Sequence, residues 1–188
     1  MKFPQIFAPL VLLVCTVGYA QTKALSILST DFYLTTTTET EDLKTSLNSE
    51  RHKILFEAFE QAELEEILGM DGPFTVFAPT NHAFSKFSSE ELEVLFRVEN
   101  RKKLKDLLTY HMVAGNLTAS KILLALCRGK GKASFTTVQG NKIFATIQGT
   151  DILLTDGLGN RAKITVADSE HTNGVIHQID RVILPPGL

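Results

Sequence analysis

The stretch TVFAPTNHAF, Thr75–Phe84, decides the fold class because it holds a strand, a stop and a helix start in close succession. Residues 74–78 are mostly aromatic, β-branched or small, which is typical of a short strand. Pro79 ends that strand because it has no backbone N–H to donate. Thr80 follows, and its side-chain oxygen can cap a helix that carries Phe84. The sequence therefore predicts a strand that passes directly into a helix.

Helical patterns lie on both sides of this stretch. Before it, apolar residues recur on one helical face, and Gly69 ends that helix. The apolar residues are Ile54, Leu55, Ala58, Phe59 and Ala62, extended by Leu64, Ile67 and Leu68. After it, Ser88 starts a helix with a capping box closed by Glu91, and Thr118 caps a short helix.

After Gly131 the pattern changes to short β-rich segments separated by Gly and Asn turns. The segments span residues 134–138, 142–148, 151–155, 162–167 and 174–184. This spacing predicts antiparallel strands joined by hairpins. Helices first and strands later indicate an α+β fold rather than a doubly wound parallel sheet.

The first twenty residues have the layout of a cleaved secretory signal peptide. After a short positive start, no charged residue occurs from Phe3 to Ala20, and Gly18 and Ala20 supply the small residues that a signal peptidase reads. We expect cleavage between Ala20 and Gln21, with an uncleaved membrane anchor as the alternative. The expected divisions are a signal peptide at 1–20, a leader or linker at 21–48 and one domain at 49–186. Cleavage would leave a secreted, extracellular or periplasmic protein with no membrane span.

The composition is that of a packed globular domain, with 44% hydrophobic and 21% charged residues. The chain has 19 basic and 21 acidic residues, a net charge of -2. This charge balance gives no strongly basic field that could bind a phosphate backbone, so we expect no nucleic-acid partner. Loss of Cys15 with the signal peptide leaves Cys127 as the only thiol, so no intramolecular disulfide can form. We expect the domain to fold with no disulfide, metal or cofactor.

The sequence carries none of the common catalytic motifs, such as His-Glu-x-x-His, Cys-x-x-Cys or Gly-x-Ser-x-Gly. One alternative is a small secreted enzyme that uses Asp168, His171 and His177, or Tyr110 with His111. A mutually hydrogen-bonded set of these side chains in a pocket would favour that alternative. A second alternative is recognition of an acidic polysaccharide by the basic loop 128–132, RGKGK.

Three segments together resemble the fasciclin domain family. The stretch 75–84 is similar to the first signature of that family, and LLTYHMVAG at 107–115 is similar to its tyrosine–histidine segment. NGVIHQIDRVILP at 173–185 resembles the closing signature. The three occur in the order of the family and cover residues 51–186, which makes the resemblance far more specific than a short motif.

The resemblance implies a compact α+β domain in which N-terminal helices pack on a wedge-like antiparallel β-sandwich. It also implies a secreted or cell-surface adhesion protein without enzymatic activity, which binds matrix proteins, integrins or polysaccharide. In some members the tyrosine–histidine segment and an Asp-Ile pair are implicated in integrin recognition. The matching residues here are Tyr110, His111 and Asp168, but Ser169 replaces the isoleucine.

The apolar neighbours of Tyr110 and His111 favour a packing role for both side chains, which does not exclude ligand contact. The remaining motif residues are expected to be structural. They are Thr80, Asn81, Asn173, Gly174 and His177.

Overall fold

A computed structural model describes residues 41–187 of the chain. The predicted signal peptide and residues 21–40 of the predicted leader lie outside these residues. Within the described part, no helix is long and apolar enough to cross a membrane.

The helical elements come mostly before the strands, as the sequence predicted. The helices are α1 (Leu43–Leu47), α2 (Lys53–Gln61), α3 (Glu65–Gly69), α4 (Asn81–Phe84), α5 (Ser89–Leu95), α6 (Arg101–Tyr110) and α7 (Ala119–Arg128), with a 3-10 turn at Val98–Asn100. The strands are β1 (Phe74–Pro79), β2 (Met112–Ala114), β3 (Lys132–Thr136), β4 (Lys142–Gln148), β5 (Asp151–Thr155), β6 (Arg161–His171) and β7 (Gly174–Ile179). The α+β class is confirmed.

The seven strands form one sheet in the order β2-β1-β7-β6-β5-β4-β3. All neighbouring pairs are antiparallel except β1 and β7, which run parallel from Phe74 opposite Gly174 to Pro79 opposite Ile179. The expectation of antiparallel pairing alone therefore misses this pair. The two strands are joined by most of the domain, and only a long connection can bring two strands together in parallel.

Strand β1 is buried on both faces and separates two hydrophobic clusters. Val76 and Ala78 face the first cluster, which contains the leucines of α1, α2 and α6. Phe77 faces the second, where α7 packs against β4, β5 and β6. Because alternate residues of a strand point to opposite sides, β1 connects a helical layer with a β-rich layer.

The predicted helix from residue 54 to 68 is interrupted at Glu63. Glu63 has a φ of 55°, and the Leu64 N–H donates to Phe59 O at 2.8 Å, which closes the last turn of α2. The chain then starts again as α3, which ends at Gly69 as predicted. An exposed glutamate in the left-handed region gives no glycine signal, so the break was not visible in the sequence.

Residues 43–47, placed in the predicted leader, form α1 and belong to the first hydrophobic cluster. Leu43 and Leu47 are fully buried there, and Asp42 caps the helix by accepting from the Thr45 N–H at 2.8 Å. The folded unit therefore begins earlier than the expected boundary at residue 49.

The sheet predicts a strong effect of adding one methyl group at Gly174. A Cβ there would lie 2.0 Å from Phe74 O and 2.9 Å from Leu43 Cδ1, so Gly174→Ala forces β1 and β7 apart. We expect a loss of about 3 kcal/mol in the free energy of unfolding. Gly69→Ala is the matched control, because its nearest contact is Lys44 Cδ at 3.9 Å. Urea denaturation of both variants measures the difference, and equal stabilities would contradict the proposed close approach.

Candidate functional site

The predicted site residues lie around the β1–β7 pair, where α6, α7 and β6 meet it. Tyr110 ends α6 and is fully buried in the second cluster. Its hydroxyl donates to Lys142 O at 3.0 Å, which fastens α6 to β4. Burial raises the pKa of Tyr110, so the phenol stays protonated at neutral pH. The side chain is a structural link in this conformation.

His111 follows Tyr110 and is also buried, with 1% of its surface exposed. Its Nδ1 lies 2.8 Å from Leu107 O, and its Nε2 lies 3.2 Å from the Ile183 N–H. These contacts require Nδ1 to donate and Nε2 to accept, which is the neutral tautomer. Burial lowers the pKa of His111 to about 4. The hydrogen bond to Leu107 O and the charge of Asp156 both raise this pKa, but by less than burial lowers it. The imidazole therefore joins α6 to the C-terminal segment.

Asp168 lies in an irregularity of β6. The register with β7 shifts between Val166 and Ser169, and Asp168 takes a φ of 57°. Its Oδ1 accepts from the Ala119 N–H, the first residue of α7, at 2.7 Å. The carboxylate is thus a cap supplied from another element, and it also compensates the positive end of the helix dipole.

His177 links the same region to β1. It is fully buried and stacks on Phe77 with ring centroids 5.6 Å apart. Nε2 donates to Leu117 O at 2.8 Å, and Nδ1 accepts from the Asp168 N–H at 3.2 Å. Burial lowers the pKa of His177 even though the Asp168 carboxylate lies 4.0 Å away.

Asp168, His171 and His177 are not brought together as a metal site. Both ring nitrogens of His177 are occupied by backbone groups, and no cluster of three possible ligands occurs within residues 41–187. His171 instead contacts Ser169, with Nε2 3.0 Å from Oγ, while its Nδ1 lies 3.3 Å from Glu41 O. In a catalytic triad a carboxylate accepts a hydrogen bond from the histidine, whereas the group next to His171 Nδ1 is the backbone carbonyl of Glu41.

Asn173 and Gly174 anchor three separate segments to the start of β7. The Asn173 carboxamide accepts from the Leu43 N–H at 2.9 Å and donates to Leu68 O at 2.7 Å and Met70 O at 3.1 Å. Its backbone carbonyl accepts from the Phe74 N–H at 3.0 Å. The side chain of Asn173 therefore positions α1 and the end of α3, and its backbone carbonyl positions the entry to β1.

Thr80 and Asn81 cap two different helices. Thr80 Oγ1 accepts from the Ala83 N–H and caps α4, as predicted. Asn81 instead reaches the preceding helix, where its Oδ1 accepts from the Ile54 N–H at 3.1 Å and its Nδ2 donates to Glu50 O at 2.7 Å. Asn81 thus supplies the side-chain cap that His52 does not give to α2.

Thr75 and Asp156 are among the buried polar residues that the sequence pattern did not single out. Thr75 Oγ1 donates to Gly115 O at 2.6 Å and accepts from the Leu117 N–H at 2.8 Å. Asp156 is 3% exposed, and its carboxylate accepts from the N–H groups of Leu158, Asn160 and Leu184 and from the Asn160 amide. The Asp-Gly pair at 156 marked a turn, but it gave no sign that this turn holds the C-terminal segment.

Comparisons with known proteins agree with this architecture. The family model described as Fasciclin domain matches residues 50–185. Protein sll1483 of Synechocystis is 37% identical over 145 residues, covering 77% of this chain and 73% of that protein. Human periostin is 34% identical over 140 residues, which are 72% of this chain but only 15% of periostin.

A solved structure shares the fold. A FAS1 domain pair from the insect cell adhesion molecule Fasciclin I superposes with a TM-score of 0.68 at 17% identity. The match covers 77% of this chain and 51% of that one.

The contacts of His111 predict that His111→Ala acts through stability. The substitution leaves the Ile183 N–H and Leu107 O without their partner in a buried site, which costs about 1–3 kcal/mol. Chemical denaturation measures this loss, and His82→Ala is the control because His82 is exposed and contacts only Ser85 through its ring. Loss of ligand binding at unchanged stability would contradict a structural role.

The buried histidines also predict a loss of stability in acid. His111 has a pKa of about 4 in the folded chain, and burial lowers the pKa of His52 and His177 as well. The unfolded chain, with histidine near its usual value, binds more protons below about pH 6.5. The contribution of these histidines to the free energy of unfolding should be constant above that pH and fall as the pH drops towards 4, by on the order of 3 kcal/mol for His111. Denaturation curves at several pH values measure how the free energy of unfolding changes with pH. The same pH dependence in His111→Asn would contradict its attribution to His111.

Proposed function

The chain belongs to the fasciclin domain family, and we propose that it is an exported, non-enzymatic adhesion module that binds an extracellular or cell-surface protein or polysaccharide. The observation that carries this proposal is that the side chains of the family motifs form hydrogen bonds inside the domain. Tyr110, His111 and His177 each bond to backbone groups in buried positions. Residues of these types that served catalysis would present a free atom to a substrate.

The relatives support the adhesive part of the proposal. The structure that shares this fold comes from a protein described as a cell adhesion molecule. A domain that contains no chemistry of its own can still act in adhesion, since recognition needs only a stable surface. The export signal expected at residues 1–20 would deliver that surface to the outside of the cell.

The segment around Asp168 favours a partner other than an animal integrin. Ser169 offers a hydroxyl where an isoleucine would supply apolar contact, and that hydroxyl already lies 3.0 Å from His171. The Asp168 carboxylate is held by the Ala119 N–H, and its side chain is only 36% exposed. Both groups are occupied within the domain, which leaves little for a hydrophobic docking contact.

We therefore expect the exported protein, coated on a surface, to support little adhesion of integrin-bearing cells. The same protein should retain a partner from the surface extract of its own host in a pull-down. Asp168→Asn should leave this capture intact, because asparagine keeps the oxygen that caps α7 and removes only the charge. Strong integrin-dependent adhesion that Asp168→Asn abolishes would contradict this choice of partner. Failure to retain any surface component would contradict the adhesive function itself.

A further inference from the structure

The charges of the described chain are unevenly distributed. Between Asp106 and Asp151 there is no acidic residue, although five Lys and Arg residues occur there. They are Lys121, Arg128, Lys130, Lys132 and Lys142. This interval contains α7 and the loop that follows it, so the side chains of these elements are basic or uncharged in a chain whose net charge is negative. The Asp168 carboxylate of β6 caps the start of α7, at the opposite end from Arg128, Lys130 and Lys132.

Helix α7 presents apolar side chains to solvent among these basic side chains. It buries only Ile122 and Leu126, which pack into the second cluster. Leu123 and Leu124 are 39% and 49% exposed. At 100° per residue Leu124 lies opposite the buried side, with Lys121 and Arg128 on one flank and Cys127 on the other. We call this surface, residues 120–132, the α7 face.

The end of α7 holds its cations in a defined turn. The Gly131 N–H donates to Leu126 O at 2.8 Å, and Lys130 has a φ of 54°. A Cβ at Gly129 would lie 1.8 Å from Lys132 O, so the loop is tightly folded. A lysine in the left-handed region costs free energy that glycine would avoid. Arg128, Lys130 and Lys132 form no ion pair with any described residue.

We propose that the α7 face docks on the surface of an anionic lipid membrane, with Leu123 and Leu124 entering the interface and the cations contacting lipid headgroups. Basic side chains around exposed leucines are the combination that interfacial helices use. An acidic polysaccharide would complement the cations but would gain nothing from two adjacent leucines. The proposal concerns a second surface and does not depend on the adhesion partner.

Co-sedimentation of the exported protein with lipid vesicles tests the proposal. Amino-terminal sequencing of the same preparation identifies the first residue of the protein used. We expect binding to phosphatidylcholine vesicles that contain phosphatidylglycerol, weaker binding at high salt, and little binding to phosphatidylcholine alone. Leu124→Ser should weaken binding about tenfold, because it removes an apolar contact without changing charge. Val98→Ser is the matched control, since Val98 is 68% exposed next to α6 and lies outside the α7 face.

Lys130→Gly separates binding from stability. Glycine relaxes the positive φ, so the variant should be at least as stable as the parent while it binds about fivefold more weakly. Absence of binding to phosphatidylglycerol vesicles at low salt would overturn the proposal. It would also be overturned if Lys130→Gly weakened binding and Leu124→Ser did not. Retention on dextran sulfate with that same pattern would assign the basic side chains to an acidic polysaccharide instead.

Discussion

The parallel pairing of β1 with β7 is the constraint on which the rest of the structure depends. It places the first and last strands of the domain side by side, next to the short edge strand β2, with a hydrophobic cluster on each face. The close approach requires a residue without a side chain at Gly174. Asn173, directly before it, joins the pairing to α1 and α3 through its carboxamide. The closing signature of the family is thus the part of the chain where these segments meet.

The buried polar groups extend this constraint across the domain. His111, His177, Thr75 and Asp156 each satisfy backbone groups of segments that are distant in sequence. A buried polar group costs free energy unless it is paired, so each one selects the arrangement in which its partners are present. The side chains that resemble adhesion determinants in the sequence therefore serve first to define the fold. The surfaces left for recognition are those that the buried network does not use, and the α7 face is one of them.

Local features of this fold were predictable from the sequence, whereas the contacts between distant segments were not. The caps at Thr80, Ser88 and Thr118 follow from short-range spacing and are present in the structure. The break at Glu63 and the burial of Leu43 are not encoded in any local period. The Asp156 carboxylate was missed for the same reason, since one of its donors, the Leu184 N–H, lies 28 residues further on. In the candidate site, the sequence singled out Tyr110, His111 and His177 as candidates. Their backbone partners became visible only in three dimensions.

The position of β7 near the carboxyl end has a consequence for how the protein is made. The Leu43 N–H at the start of α1 donates to the carboxamide of a residue 130 positions later, so this hydrogen bond can form only after nearly the whole domain has left the ribosome. Contacts of this range make folding slow, because a large loop must close before any of them is gained. The β1–β7 pairing therefore forms late in synthesis, after all the helices and strands between these two strands have been made.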